Sequence, residues 1–228
     1  MNREYHFRAK GDAEQIRRAL ESLDGEIEKF DLREDEVDII WRPNTDTDPH
    51  QQIADMMRTG NHADGILLLE LFLSDDPADT TALFNLGMAY SDQGEWHRAI
   101  EVLRRLIEYE PQHTNGLVAL GVALLRANQT QDGIYELQHA LTQGPDNVWA
   151  RQNLGAGLLQ LGHHAEALEH LRHAVEIKAD DPALWFDYGR ALQMNNDVRA
   201  AQKAYRKVID LDESSEIAQR AHAALGEK

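Results

Sequence analysis

The sequence of 228 residues contains no cysteine. This absence excludes disulfides, thiolate nucleophiles and zinc sites built from cysteine. The chain also has no apolar run of about 20 residues, so we expect no insertion into a membrane. Its first residues, MNREYHFRAK, include no apolar stretch of the kind that a secretory signal needs. We therefore expect a cytoplasmic protein.

Basic residues are also scarce, because 23 Lys and Arg stand against 40 Asp and Glu, a formal net charge of -17. Neutralising phosphates requires a basic face, so we expect no nucleic-acid ligand. The negative charge favours encounters with basic partners, but salt screens it beyond about 8 Å. Charge alone therefore does not hold a complex together.

Motifs that carry chemistry are absent as well. The sequence has no Gly-rich phosphate loop after a strand, no serine nucleophile motif and no convergent acid pair, so we expect neither an enzyme nor a cofactor. The strongest metal pattern is HHAEALEHLRHAVE, in which Glu166, His170 and His173 follow at i, i+4 and i+7. This spacing suits zinc or nickel, but an ordinary solvated helix face is the favoured interpretation, and we predict no metal site.

An internal repeat organises most of the chain. Glycines recur at one constant interval, at Gly87, Gly121, Gly155 and Gly189. Twelve residues after each glycine stands a small residue, and four further on a large one: Ala99 and Leu103, Gly133 and Leu137, Ala167 and Leu171, Ala201 and Tyr205. The spacing predicts four blocks of two helices each, at 80–113, 114–147, 148–181 and 182–215.

Two glycines of the first block have different predicted roles. Gly94 lies between the two helices, where a residue able to take positive φ ends a helix. Gly87 lies inside a helix, where glycine costs about 1 kcal/mol relative to alanine. We expect a close approach of two helices to offset that cost, with Gly87 facing Ala99.

The repeat resembles the tetratricopeptide repeat (TPR), a helix-turn-helix unit whose length equals the interval between these glycines. The matching residues of the first block are Leu83, Leu86, Gly87, Tyr90, Gly94, Ala99 and Pro111. Upstream, Gly60, Leu69, Phe72 and Pro77 keep the register of a degenerate repeat at 46–79. Residues 216–228 are typical of a capping helix. The resemblance implies an all-α TPR solenoid, a right-handed superhelix, from residue 46 onward.

Residues 1–45 follow another pattern. Tyr5 and Phe7 alternate with polar residues, Ile16 and Leu20 share a helical face, and the segment EVDIIWRP alternates again. A small N-terminal α+β segment of order β-α-β-β is predicted. Because so short a segment cannot bury enough surface alone, it either caps the first repeat or dimerises with a copy from a second chain.

In TPR proteins the first helix of each repeat lines a concave groove. The resemblance places there Phe84, Asn85, Met88, Val118, Val122, Trp149, Asn153, Phe186 and Arg190. The cations of a carboxylate clamp for chaperone tails are missing in either register. We expect an adaptor or assembly factor whose groove binds a peptide or, preferably, an amphipathic helix of another, basic protein. The alternative is a self-associating scaffold, a homo-oligomer joined through its N-terminal segment or repeat ends.

Overall fold

The structure, a computed structural model, describes residues 3–34, 36–44 and 48–226. The predicted boundary between residues 45 and 46 lies outside the described residues, as do residues 227 and 228 of the predicted capping segment. The chain forms two compact units, Met1–Pro111 and Gln112–Lys228. The described strands are β1 (Tyr5–Lys10), β2 (Gly25–Arg33) and β3 (Glu36–Pro43). The described helices are α1 (Ala13–Glu21), α2 (Pro49–Arg58), α3 (His62–Asp75), α4 (Thr80–Asp92), α5 (Trp96–Tyr109), α6 (Thr114–Arg126), α7 (Thr130–Gln143), α8 (Val148–Gln160), α9 (His164–Ile177), α10 (Pro182–Met194), α11 (Val198–Leu211) and α12 (Glu216–Leu225).

The first unit begins with the predicted β-α-β-β segment, which is confirmed. The three strands form an antiparallel sheet of order β1-β3-β2, so that α1 connects two parallel strands on either side of β3. Buried and half-buried residues alternate along all of β3, with Val37, Ile39 and Trp41 almost fully buried on one face. The sheet therefore has one apolar face that needs a cover.

Helix α3 supplies much of that cover through one aromatic residue. The ring of Phe72 lies 4.8 Å from the ring of Tyr5, 5.2 Å from that of Phe7 and 6.1 Å from that of Trp41. All three pairs are edge-on, the geometry that aromatic quadrupoles favour. Helix α3, the second helix of the predicted degenerate repeat, is thus also part of the core beneath the sheet.

Glycines let the two helices of a repeat approach closely, but the contact differs from the one expected. A Cβ on Gly87 would come within 2.6 Å of Leu103 Cδ2, so the facing group is this leucine and not Ala99. Gly121 shows the same contact with Leu137, and it also lies near the backbone oxygen of Gly133. The large residue four positions after the small one therefore fills the space that each glycine leaves.

The turns between paired helices share one backbone conformation. Gly94 and Gly162 have φ of 75° and 78°, and Asn128 and Asn196 at the equivalent positions have 61° and 63°. Among residues with a side chain, asparagine is one of the few that tolerates this left-handed region. The two asparagines therefore preserve the turn where glycine is missing.

The last helix closes the second unit. Ser215 accepts a hydrogen bond from the Ala218 N–H at 3.2 Å at the start of α12, and Ala218 and Ala221 are buried beneath it. None of the helices in the described ranges has the length and apolar character needed to cross a lipid bilayer.

Candidate functional site

The candidate site lies on the helix sides that the glycine contacts leave free. In the second unit, Gly121, Gly155 and Gly189 direct one side of α6, α8 and α10 onto the second helix of the same pair. The predicted groove residues occupy other positions of these first helices. We call this surface the first-helix face and describe it separately for each unit.

In the first unit, the first-helix face contains a depression of about 300 Å³. Its lining comprises Ala54, Met57, Arg58, His62, Asn85, Met88, Ala89 and Asp92. Two of the predicted residues, Asn85 and Met88, therefore lie together, whereas half-buried Phe84 is not part of the lining. Met57 and Met88 give the depression flexible apolar walls, which adapt to different side chains.

The predicted site does not include the half of this depression that comes from α2 and the start of α3. Ile53 stands where the later repeats have their mid-helix glycine, and it is fully buried. The sequence signal that could have identified this half is Gly65, which lies one repeat length before Ala99 and takes the same small-residue position. A Cβ on Gly65 would meet the Met57 side chain at 2.3 Å, so this glycine allows Met57 to pack against α3.

In the second unit, the most exposed apolar group of this face is Trp149, with 66% of its surface accessible. It lies in the first turn of α8, whose N-terminus is fixed by Asn147 accepting from the Ala150 N–H at 2.9 Å. One turn later the Asn153 amide donates to the Trp149 carbonyl oxygen at 2.8 Å. The side-chain amide of Asn153 thus forms this hydrogen bond within its own helix.

A polar cluster joins α8 to α10 and begins at Gln152, about one helical turn after Trp149. The Gln152 amide donates to the Asp187 carboxylate at 2.8 Å, and Arg190 Nη1 lies 3.6 Å from its other oxygen. Burial raises the pKa of Asp187 above its ordinary value, although the hydrogen bond from Gln152 and the charges of Arg190 and Arg220 oppose this rise. Arg190 is exposed but faces a carboxylate of its own helix.

Phe186 requires a correction. Its repeat position predicts that it faces the groove, but only 6% of its surface is accessible. Its ring lies 5.6 Å from the ring of Tyr205, and the Arg220 guanidinium of α12 covers it at 4.5 Å. Tyr205 of α11 and the helix that follows the last repeat together remove Phe186 from the accessible surface. Val118 and Val122 of α6 are half-buried, which leaves part of each side chain accessible.

The weak metal candidates Glu166, His170 and His173 follow one another along α9. No group of three or more His, Asp or Glu residues in the described ranges is arranged to hold a metal ion. Burial lowers the pKa of His170, and the nearby charge of Arg151 adds to this effect. Glu166 instead lies 3.7 Å from His163, and His173 lies 3.8 Å from Asp146. Smaller electrostatic effects of Glu166 and His173 also act on the pKa of His170, so the three weak candidates share part of their surroundings.

Comparisons with known proteins support the repeat assignment. Two models of the tetratricopeptide repeat match residues 84–148 and 158–225, together more than half of the chain. No curated protein is a significant match to the sequence.

Several solved structures share the fold. A crystal structure of MamA is 23% identical with a TM-score of 0.66, covering 74% of this chain and 97% of its own. YrrB, described as a TPR protein with an unusual peptide-binding site, is 18% identical with a TM-score of 0.64, covering 78% and 92%. TTC0263, a thermophilic TPR protein from Thermus thermophilus, is 20% identical with a TM-score of 0.63, covering 78% and 97%.

Proposed function

Because this chain belongs to the tetratricopeptide repeat family, whose fold serves as a scaffold for interactions between proteins, we propose that it is a non-catalytic adaptor or assembly factor. In this proposal its first-helix face binds a segment of another protein. The observation that carries the proposal is the exposure of Trp149 on that face. Large aromatic residues at such positions are frequent centres of binding energy in protein interfaces.

The surroundings of Trp149 favour an apolar ligand surface. Gln152 and Asp187 satisfy one another, so they offer few unpaired groups to a peptide backbone. The Asn153 amide donates a hydrogen bond to a carbonyl of its own helix, which weakens the resemblance to an asparagine ladder for extended peptides. We therefore favour an amphipathic helix whose apolar side covers Trp149 and the accessible parts of Val118 and Val122.

The first unit supports the same ligand type. The depression lined by Met57 and Met88 has room for one apolar side chain, and Arg58 and Asp92 also belong to its lining. The first complete repeat lacks the cations of a carboxylate clamp, since Phe84 and Met88 stand at its clamp positions. The ligand that we propose is accordingly not an acidic chaperone tail. The strong negative charge of the chain favours a basic partner.

Capture from native lysate, followed by mass spectrometry, tests this proposal with two matched variants. Trp149→Ala removes the exposed ring of the first-helix face, whereas Tyr135→Ala removes a ring of equal exposure, 66%, from the second helix α7. We expect the first variant to lose the captured partner and the second to retain it, while circular dichroism of both stays helical. Equal retention by the two variants would reject the assignment of the face.

A second candidate function is self-association through the N-terminal segment. The observation that favours it is the position of β2 at an edge of the sheet, where it pairs with β3 alone within the described residues. Light scattering of the full chain over a concentration series distinguishes the candidates. An adaptor without self-association keeps the mass of one chain, whereas a scaffold increases in mass with concentration.

A further inference from the structure

The three-stranded sheet has two edge strands, of which the described residues cover one. At β1 the His6 backbone N–H donates to Asp75 at 3.1 Å, and Arg3 lies 3.8 Å from Asp75 and 3.3 Å from Asp76. The end of α3 therefore occupies that edge. Strand β2, Gly25–Arg33, pairs with β3 on one side and with no other described strand on the other. Open strand edges are templates for pairing with another chain.

The residues of β2 divide into two faces. The register with β3 places an irregularity between Ile27 and Lys29, so that Glu28 is the extra residue of a bulge. The side of the sheet that Val37, Ile39 and Trp41 share also carries Ile27, Phe30 and Leu32, and the opposite side carries Glu26, Lys29, Asp31 and Arg33.

Phe30 and Leu32, on the apolar side of β2, both keep accessible surface. The Arg17 guanidinium of α1 lies 4.1 Å from the centre of the Phe30 ring and leaves that residue half-buried. Leu32, two residues further along the same side, is 63% exposed. An exposed leucine at an open strand edge is where a second strand would bury apolar surface.

We propose that the β2 strands of two copies of this chain pair in antiparallel orientation about a two-fold axis at Phe30, forming one six-stranded sheet. The axis places each Phe30 opposite its counterpart. It also places Lys29 of each chain opposite Asp31 of the other, twice by symmetry. In the single chain these two charges lie 3.0 Å apart on the same face, so both are already on the correct side of the sheet. Opposite charges in directly facing positions stabilise a strand pair.

The same register suits the ends of the strand. If Glu28 stays the extra residue, as it is towards β3, Ile27 faces Leu32 of the other chain. This pair covers the exposed leucine with an apolar side chain. The next pair joins Glu26 to Arg33 of the second copy, again with opposite charges. Every facing pair from residue 26 to residue 33 therefore matches in face and in chemistry.

Moving the axis by one residue destroys this match. An axis at Asp31 would place the two Asp31 carboxylates opposite each other and Lys29 opposite Arg33 of the other chain. Like charges in directly facing positions are destabilising. The sequence of β2 thus favours the register centred on Phe30, in which the second copy of this chain is the occupant of the edge.

This inference rests on the second proposed function, self-association, and a mixing experiment tests both. Lys29→Asp gives the edge only acidic residues at positions 29 and 31, and Asp31→Lys gives it only basic ones. We expect the wild type to approach twice the mass of one chain in light scattering, and each variant alone to return to the mass of one chain. An equimolar mixture of the two variants should recover the double mass, because each charge then meets its opposite across the axis.

The outcomes separate the two ideas. A wild type that keeps the mass of one chain at every concentration overturns both the register and self-association. A wild type that associates, with variants that associate equally well alone, overturns the register only. Circular dichroism establishes that both variants are folded, and their exposed positions make large losses of stability unexpected.

Cysteine substitution reports the axis directly, because the chain has no cysteine of its own. Facing residues in an antiparallel pair have Cα atoms about 4.5–5.5 Å apart, which is within the range of a disulfide. We expect Phe30→Cys to form a covalent dimer under mild oxidation and Asp31→Cys to form little. A reversed preference would place the axis at Asp31 and contradict the proposed register.

Discussion

Gly155 lies directly against Leu171: a Cβ on this glycine would come 2.6 Å from Leu171 Cγ. Equivalent contacts join Gly121 to Leu137 and Gly189 to Tyr205. The constant glycine period is therefore a packing requirement, since each glycine receives a large side chain from the second helix of its pair. It explains why a residue with low helix propensity recurs inside a helix.

The first prediction concerns this contact. Gly155→Ala should lower the free energy of unfolding by roughly 1–3 kcal/mol, because overpacking outweighs the gain in helix propensity. Gly144→Ala is the control, since a Cβ there would meet its nearest atom at an ordinary 3.6 Å. Urea denaturation followed by circular dichroism measures both variants. A loss of stability as large for Gly144→Ala would contradict the packing explanation.

A second prediction concerns the left-handed turn at Asn128. Asn128→Ala should lower stability by about 1 kcal/mol, because an alanine Cβ is unfavourable at a φ of 61°. Asn128→Gly keeps this φ accessible and should be close to neutral. The comparison of the two melting temperatures by calorimetry checks the prediction, and equal melting temperatures would show that the backbone conformation is not limiting.

Much of the fold could be predicted from the sequence because the repeat depends on residues at fixed, closely spaced positions. Gly94 and Asn128 mark turns through their own backbone preferences, and each mid-helix glycine marks a helix contact. Burial of a given side chain is less local. Phe186 has the groove position of its repeat, but Arg220 of α12, which lies outside that repeat, covers its ring. No periodicity within a repeat reveals that cover.

The candidate site was predictable to a similar extent. Trp149 and Met88 could be placed from the repeat position, and both are exposed. Met57 could not be placed, because the predicted degenerate repeat has Ile53 in place of the marker glycine. The environment of Asp187 was also not predictable, since its partner Gln152 belongs to another helix and the resulting pKa depends on burial.

A third prediction concerns the aromatic core beneath the sheet. Phe72→Ala should cost about 3–5 kcal/mol, because the ring is buried against Tyr5, Phe7 and Trp41. Hydrogen exchange should show loss of protection in β1 and β3. Tyr109→Ala removes a ring that is 49% exposed and should change stability far less. Unchanged protection of the strands in Phe72→Ala would mean that α3 does not hold the sheet.

The last prediction uses the carboxylate of Asp187, whose pKa is raised by burial despite the hydrogen bond from Gln152. The folded protein therefore holds a proton on this group more tightly than the unfolded chain does. Below the ordinary aspartate pKa of about 3.9 the group is protonated in both states and folding carries no penalty. As pH rises through the folded pKa, folding must retain a buried charge, and stability is lost.

Asp187→Asn removes that charge and keeps a side-chain oxygen that can accept the hydrogen bond from the Gln152 amide. The variant should unfold at a higher temperature than the wild type at neutral pH, and the difference should disappear in acid. Asp210→Asn makes the same substitution at an exposed position of α11 and is the matched control. Melting curves over a pH series measure the effect. A wild type more stable than Asp187→Asn at neutral pH would show that the charges of Arg190 and Arg220 outweigh burial.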